Sequence, residues 1–269
     1  MEIEIPFSRR QISLEQSSKD LKYRAILSRD SLFYGLFNSN NQILHYGRIK
    51  VDVIPKTSLL NQHKHEFGHS IVAFNNPIFS LLESNSETFK KSLLKFNHSI
   101  SDLTRYLIFS EKVVNSSSVL TYAIPKPITK ALSKHIVMCD FSHYQKVFLD
   151  SIGINQLGSE IHLSLLSGNL NLIYFEKGEL QIANCYQVRN ESDFYYYIAL
   201  IYDQYKLKKG ETQILMDGDF SEVKLDKEKF FHFFGVEPEI IHLDTETNET
   251  NTTLVALTRL NRCASLEEV

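Results

Sequence analysis

The stretch that decides the fold runs from Leu157 to Tyr205 and reads LGSEIHLSLLSGNLNLIYFEKGELQIANCYQVRNESDFYYYIALIYDQY. Apolar and polar residues alternate in three segments of its first half, at Ser159 to Leu166, Leu170 to Tyr174 and Leu180 to Tyr186. This period is typical of half-buried strands. Glycine in a connecting pair such as Lys177-Gly178 supplies the positive φ of a tight turn. The first half therefore predicts three strands joined by short turns.

The second half of the stretch predicts a helix. Asn190 is a good N-cap, and Asp193 places a carboxylate at the positive end of the helix. Apolar residues at helical spacing form one face, at Phe194, Ile198, Ile201 and Tyr205. A strand, a helix and a strand are expected after it, at Gln213 to Met216, Leu225 to Phe234 and Glu239 to Leu243. With right-handed crossovers, the order β-β-β-α-β-α-β predicts a mixed sheet with helices packed against it.

The N-terminal half repeats the opening of this unit. Strands are predicted at Tyr23 to Leu27, Leu32 to Phe37 and Ile43 to Val51, in the same strand-turn-strand-turn-strand order. Three identities lie 138 positions apart and pair Leu27 with Leu165, Leu32 with Leu170 and Phe37 with Phe175. Together the order and the identities predict two copies of one unit. We expect two domains, at residues 1–140 and 141–269.

Further elements are expected between the two copies. A strand is predicted at His69 to Phe74, another at Ile136 to Cys139, and a helix at Tyr144 to Ile152. In the second copy, Tyr195, Ala199 and Tyr202 add another apolar strip to the Asn190-capped helix. So wide an apolar arc is usually covered on more than one side. A terminal helix carrying Leu254, Leu257 and Leu260 is the favoured cover, and a partner protein is the alternative.

Composition limits the class of protein. With 269 residues and 43% hydrophobic content, the chain can bury one large core or two medium ones. The net charge of -3 contains no long run of one sign, so no nucleic-acid footprint is expected. The longest apolar run, Phe194 to Tyr202, is too short to span a bilayer. Three isolated cysteines and an acidic N-terminus without a signal peptide predict a cytoplasmic protein.

Three stretches of the chain resemble a known family. They are Leu94-Lys95-Phe96-Asn97, then Val119-Leu120-Thr121-Tyr122-Ala123-Ile124-Pro125, then Leu170 to Tyr202. The chain resembles domain-of-unknown-function family 3822, found in Bacteroidota, from roughly Tyr23 onward. The resemblance implies an α/β protein of actin-like ATPase fold, with two RNase H-like lobes that contain mixed sheets and face a cleft. It implies no substrate.

The hairpins that would hold a nucleotide depart from the pattern of an active actin-like ATPase. Such an enzyme has an Asp that orients a Mg²⁺-bound water and a Gly that lets backbone N–H groups reach phosphate. The first hairpin, Ser28-Arg29-Asp30-Ser31, has Ser in the Asp position and Asp30 in the Gly position. The second, Leu166-Ser167-Gly168-Asn169, keeps Gly168 but has Leu in the Asp position. We therefore expect degenerate nucleotide loops.

A third segment bears on the same question. Met216-Asp217-Gly218-Asp219 is loosely similar to the Gly-containing adenosine loop of these ATPases, although a plain strand-to-helix turn explains it as well. The candidate cofactor-binding residues are thus Asp30, Gly168 and Gly218. Our interpretation is that the ATPase machinery has been lost, and no cofactor is predicted.

The sharpest local motif is His65-Glu66-Phe67-Gly68-His69, a literal H-E-x-x-H. In a zinc peptidase this motif lies within a helix, so that both imidazoles face one metal and the Glu activates water. Here Gly68 and the alternation of His69, Ile71 and Ala73 predict a helix end that runs into a strand, which separates the two imidazoles. His65, Glu66 and His69 are the candidate metal ligands, and a chance match is the favoured interpretation.

No catalytic residue is assigned. The sequence contains no G-x-S-x-G nucleophile elbow, no G-x-G-x-x-G and no Walker A segment. The leading hypothesis is a non-catalytic actin-like fold protein that acts as a scaffold or regulatory module for an unknown protein partner. An ATP-binding ATPase or switch with rearranged loops is the alternative. A zinc hydrolase that uses His65, Glu66 and His69 comes third.

Overall fold

The computed structural model describes residues 20–28, 31–50, 67–82, 100, 102–114, 118–133, 136, 139–153, 158–218, 220, 223–241 and 252–267. The chain divides into two compact units, Met1–Asp150 with Leu257–Val269, and Ser151–Ala256. In the described part, no helix is long and apolar enough to cross a membrane.

The first unit contains a five-stranded sheet and a three-stranded sheet. Its strands are β1 Lys22–Leu27, β2 Ser31–Phe37, β3 Ile43–Lys50, β4 His69–Phe74, β5 Phe79–Leu82, β6 Tyr106–Lys112, β7 Val119–Pro125 and β8 Cys139–His143. Its helices begin with α1 Lys126–Leu132 and α2 Tyr144–Ser151. The larger sheet has the order β3-β2-β1-β4-β8, and the smaller one has the order β5-β7-β6. Strands β1, β4 and β8 are parallel, so their carboxyl ends lie at one edge.

The second unit has a five-stranded mixed sheet of the same design. Its elements are β9 Ser159–Leu166, β10 Asn169–Glu176, β11 Glu179–Gln187, α3 Glu191–Gln204, β12 Thr212–Gly218, α4 Lys227–Phe234 and β13 Glu239–Ile240. The strand order is β11-β10-β9-β12-β13, with β9, β12 and β13 parallel. The chain ends in α5, Thr252–Glu267. Two α/β sheets of one topology are therefore present, as the sequence predicted.

The repeat of the sequence is a repeat of strand register. Leu27 lies opposite Leu32 in the first hairpin, and Leu165 lies opposite Leu170 in the second. The pairing of β2 with β3 shifts in register between Leu36 and Phe37. The pairing of β10 with β11 shifts at the matching position, between Tyr174 and Phe175. Each sheet thus has the same irregularity at the same place, which supports a duplicated unit.

Capping and turn residues explain where helices and strands of the second unit begin and end. The Asn190 side chain accepts a hydrogen bond from the Asp193 N–H at 3.0 Å, which satisfies one donor at the start of α3. Gly235 ends α4 in the left-handed conformation, with φ of 72°. At Lys177 and Gly178 φ is positive at both positions of the turn, as a two-residue hairpin requires.

The second apolar strip of α3 is covered from inside the chain by a different helix from the one expected. Tyr195 packs against the rings of α4, with ring centroids 5.2 Å from Phe233 and 6.1 Å from Phe234. Its hydroxyl donates to the Asp226 carbonyl at 3.1 Å. Ala199 is exposed, so the covered strip is narrower than predicted. The chain crosses over through β12 and returns α4 to the side of α3. Helix α4 is therefore the helix that covers Tyr195.

Candidate functional site

The candidate site lies at the carboxyl edges of the parallel strands, where α/β sheets usually bind ligands. In the second unit this edge contains the ends of β9 and β12, where Leu165 lies opposite Gly218. In the first unit it contains the ends of β1, β4 and β8.

Both candidate glycines of the second unit have a backbone role. Gly168 adopts φ of 71° in the turn between β9 and β10, and its carbonyl accepts a hydrogen bond from the Val188 N–H at 2.8 Å. Gly218 adopts φ of 123°, and a Cβ there would overlap the backbone of Leu165. These positions require glycine because of conformation and close approach. Neither requirement depends on a bound phosphate.

A buried hydroxyl–carboxyl pair lies beside Gly218. Ser164 Oγ donates to Asp217 Oδ1 at 2.7 Å across β9 and β12. The exposed fraction is 1% for Ser164 and 3% for Asp217. Asn171 Nδ2 donates to the Ser164 carbonyl at 3.3 Å. This pair was not among the sites predicted from the sequence, although an Asp that closes the apolar run Ile214-Leu215-Met216 was a signal for it.

Polar groups continue along the same face of β9. His162 Nε2 and Glu160 Oε2 are 3.1 Å apart, and both side chains are buried. The opposite face of β9 supplies Ile161, Leu163 and Leu165 to the apolar core under α3 and α4. Successive side chains of a strand alternate between faces, so one strand builds both the core and a buried polar row.

The two hairpin positions that the sequence resemblance matches to the ATPase carboxyl groups are Ser28 and Leu166. Leu166 is buried and hydrocarbon, so it can bind neither a metal nor its water. Ser28 is also buried, and Asn75 Nδ2 donates to its hydroxyl at 3.3 Å. The Ser28 N–H donates to the Ser31 carbonyl at 2.9 Å, which closes the hairpin. Asp30 lies outside the described residues.

His69 is the one member of the candidate zinc set inside the described part of the chain. It begins β4, and its Nε2 lies 3.1 Å from Asp140 Oδ2 on β8. His65 and Glu66 lie outside the described residues. Among the residues that the structure describes, no group of three or more His, Cys, Asp or Glu side chains could hold a metal ion.

The thiol next to this pair is held in its neutral form. Burial, together with the neighbouring Asp140 carboxyl, raises the pKa of the Cys139 thiol to about 12. Thiolates are the nucleophilic form of cysteine, so this thiol is inert near neutral pH. Burial also raises the pKa of Cys185. Both cysteines are therefore structural.

Comparison with known proteins agrees with this geometry. The family described as "Protein of unknown function (DUF3822)" matches residues 34–233. The chain belongs to this family. No curated protein matches the sequence.

Solved structures show the fold of this DUF3822 member. A Bacteroides thetaiotaomicron protein with actin-like ATPase fold and unknown function is 18% identical, with a TM-score of 0.70, over 90% of this chain and 96% of that one. A chain of the "PilM-PilN type IV pilus biogenesis complex" is 8% identical, with a TM-score of 0.52, over 91% of this chain and 98% of that one. The actin-like ATPase fold implied by the sequence resemblance is thus confirmed.

Proposed function

We propose that this DUF3822 protein is a non-catalytic member of the actin-like fold that acts in the cytoplasm as a scaffold or regulatory protein-binding module. The observation that carries the proposal is the pair of hairpin positions, Ser28 and Leu166. Both side chains are buried, one bonded to Asn75 and the other apolar. Catalysis of phosphoryl transfer depends on positioning and neutralising charge with a metal ion. Neither side chain is a hard anionic metal ligand.

Binding a protein partner is a function that this fold could perform without phosphoryl-transfer chemistry. The similar structure with PilM and PilN is described as a complex of a biogenesis system, and this supports a protein partner for the present chain. In this proposal the lobes are of the RNase H-like type and correspond to residues 1–140 and 141–269. The polar groups at the sheet edges then stabilise the fold of each lobe.

One observation favours a nucleotide switch as the second candidate. Asp217 is a buried carboxyl group next to Gly218, in the segment loosely similar to an adenosine loop. Its Oδ1 already accepts a hydrogen bond from Ser164 at 2.7 Å, and Gly218 is fixed by its contact with Leu165. These bonds explain both residues without a nucleotide, so the scaffold is preferred.

The experiment compares partner retention with and without nucleotide. Tagged protein is purified from its native cells in two ways, with ATP and Mg²⁺ present and after removal of both. The proposal expects one co-purifying protein at a constant ratio in both samples. Release of that protein on ATP removal, prevented by adding Mg-ATP back, would establish the nucleotide switch instead. An Asp217→Asn variant then shows whether this carboxyl group is responsible.

A further inference from the structure

Helix α2 is buried around its whole circumference, yet it carries the charged side chains of Lys146 and Asp150 and the amide of Gln145. Residues 144–149 are all buried, whereas a surface helix would expose one face. Lys146 Nζ lies 2.9 Å from Asp150 Oδ2 and 3.7 Å from Glu111 Oε2. Asp150 Oδ1 also accepts the Val114 N–H at 2.8 Å. The two charged side chains of α2 are therefore paired with each other within the protein.

The side-chain amide of Gln145, also on α2, has no such partner among the described residues. It is fully buried, at 0% exposure, and neither Oε1 nor Nε2 has a hydrogen-bond partner in the part of the chain that the structure describes. Exchanging the amide oxygen and nitrogen would not help, because both ends lack a partner. Unpaired polar groups are rare in protein interiors, and an ordered water or an ion is the usual explanation.

The residues on either side of Gln145 in the α2 region have polar groups with partners. His143 Nδ1 accepts the Gln145 N–H at 3.1 Å, so its other nitrogen carries the proton and donates to the Asn76 carbonyl at 3.0 Å. The imidazole is therefore neutral. Lys146 is paired with two carboxyl groups, those of Asp150 and Glu111.

We propose that the Gln145 amide is the protein side of a buried water site at the start of α2. A water molecule donates and accepts, as an amide with both ends open requires, and it carries no charge. Buried waters of this kind typically make about three hydrogen bonds to groups that otherwise lack partners. The site is independent of the proposed scaffold function. With this water, the Gln145 amide also has hydrogen-bond partners.

The test counts long-lived internal waters by ¹⁷O magnetic relaxation dispersion. Gln145→Met keeps the length of the side chain and removes the amide, so the count should fall by at least one. Gln204→Met is the matched control, because Gln204 is exposed on α3, and it should leave the count unchanged. Equal counts for folded Gln145→Met and the wild type would overturn the proposal.

A high-resolution crystal structure of the wild type decides the question without any variant. The proposal expects a fully occupied water at about 3 Å from the Gln145 amide. Density that joins this amide directly to a protein group, or an amide packed dry against apolar side chains, would contradict it. If Gln145→Met does not fold, as judged by far-UV circular dichroism, this measurement stands alone.

Discussion

The hydroxyl of Ser164 donates to the carboxyl of Asp217 at 2.7 Å, and both side chains are almost completely buried. The bond joins two parallel strands at the edge where related folds hold their ligands. It ties β12 to β9 one residue before Gly218, where a Cβ would overlap the backbone of Leu165. The polar groups at this edge thus bind each other.

Loss of the Ser164 hydroxyl should destabilise the protein. Ser164→Ala leaves Asp217 Oδ1 without this donor in a buried site, and the free energy of unfolding should fall by about 1–3 kcal/mol. Asp217→Asn keeps an oxygen that can accept the hydroxyl, so its effect should be smaller. Urea unfolding measures both. A Ser164→Ala midpoint equal to that of the wild type would show that the pair adds nothing to stability.

The docking of α3 on α4 depends on Tyr195. Tyr195→Ala removes a buried ring that contacts Phe230, Phe233 and Phe234, and should cost about 3–5 kcal/mol. Tyr195→Phe loses only the hydrogen bond to the Asp226 carbonyl and should cost about 1 kcal/mol.

The neighbouring residue provides the control for this prediction. Tyr196 is 61% exposed, so Tyr196→Ala should change the free energy of unfolding by less than about 0.5 kcal/mol. Chemical denaturation measures all three variants. Equal losses for Tyr195→Ala and Tyr196→Ala would contradict the packing described for α3.

Stability should fall in alkaline solution because of Cys139. The pKa of its thiol is about 12 in the folded protein and about 9 when unfolded, so the unfolded state loses its proton first. The thiol's contribution is complete below pH 9 and is lost as the pH rises toward 12. Cys139→Ala should lose less stability over this window. At pH 8 the native thiol should also resist alkylation, and rapid native-state labelling of Cys139 would contradict the raised pKa of its thiol.

The purified protein should contain no stoichiometric zinc. His69 begins a strand and does not lie within a helix as the zinc motif requires, and its Nε2 lies 3.1 Å from Asp140 Oδ2. Elemental analysis of protein prepared without chelators measures the metal content. About one zinc per chain that disappears in both His65→Ala and His69→Ala would overturn this expectation.

The strands and turns of the second unit were predictable because each leaves a local signal. Alternation from Ser159 to Leu166 has the period of a strand with one polar face, and Gly178 marks a turn that needs positive φ. Asn190 is a cap whose partner lies three residues away. Such signals depend on neighbours in sequence, and the fold follows from them.

Other features depend on distant contacts and left little local trace. A strand was predicted at Ile136 to Cys139, of which residues 137 and 138 lie outside the described residues. The described strand is Cys139–His143, and its pairing with β4 runs from Ser70 opposite Cys139 to Phe74 opposite His143. Asp140 and Ser142 are polar, so this segment lacks the apolar run by which a buried strand is recognised. Ser164 and Asp217 are 53 positions apart in sequence and meet only through the crossover. The assignment of lobes to residues 1–140 and 141–269 stays a prediction.

The central claim, that the protein does not use ATP, is tested most directly by thermal unfolding with Mg-ATP. A ligand at a hundredfold excess over its dissociation constant stabilises the folded state by about 2.7 kcal/mol. In a chain of this size that would raise the Tm by about 5–10 °C. We predict a shift below about 1 °C at millimolar Mg-ATP, relative to Mg²⁺ alone at equal ionic strength. A saturable rise of several degrees, reduced in Asp217→Asn, would contradict the account.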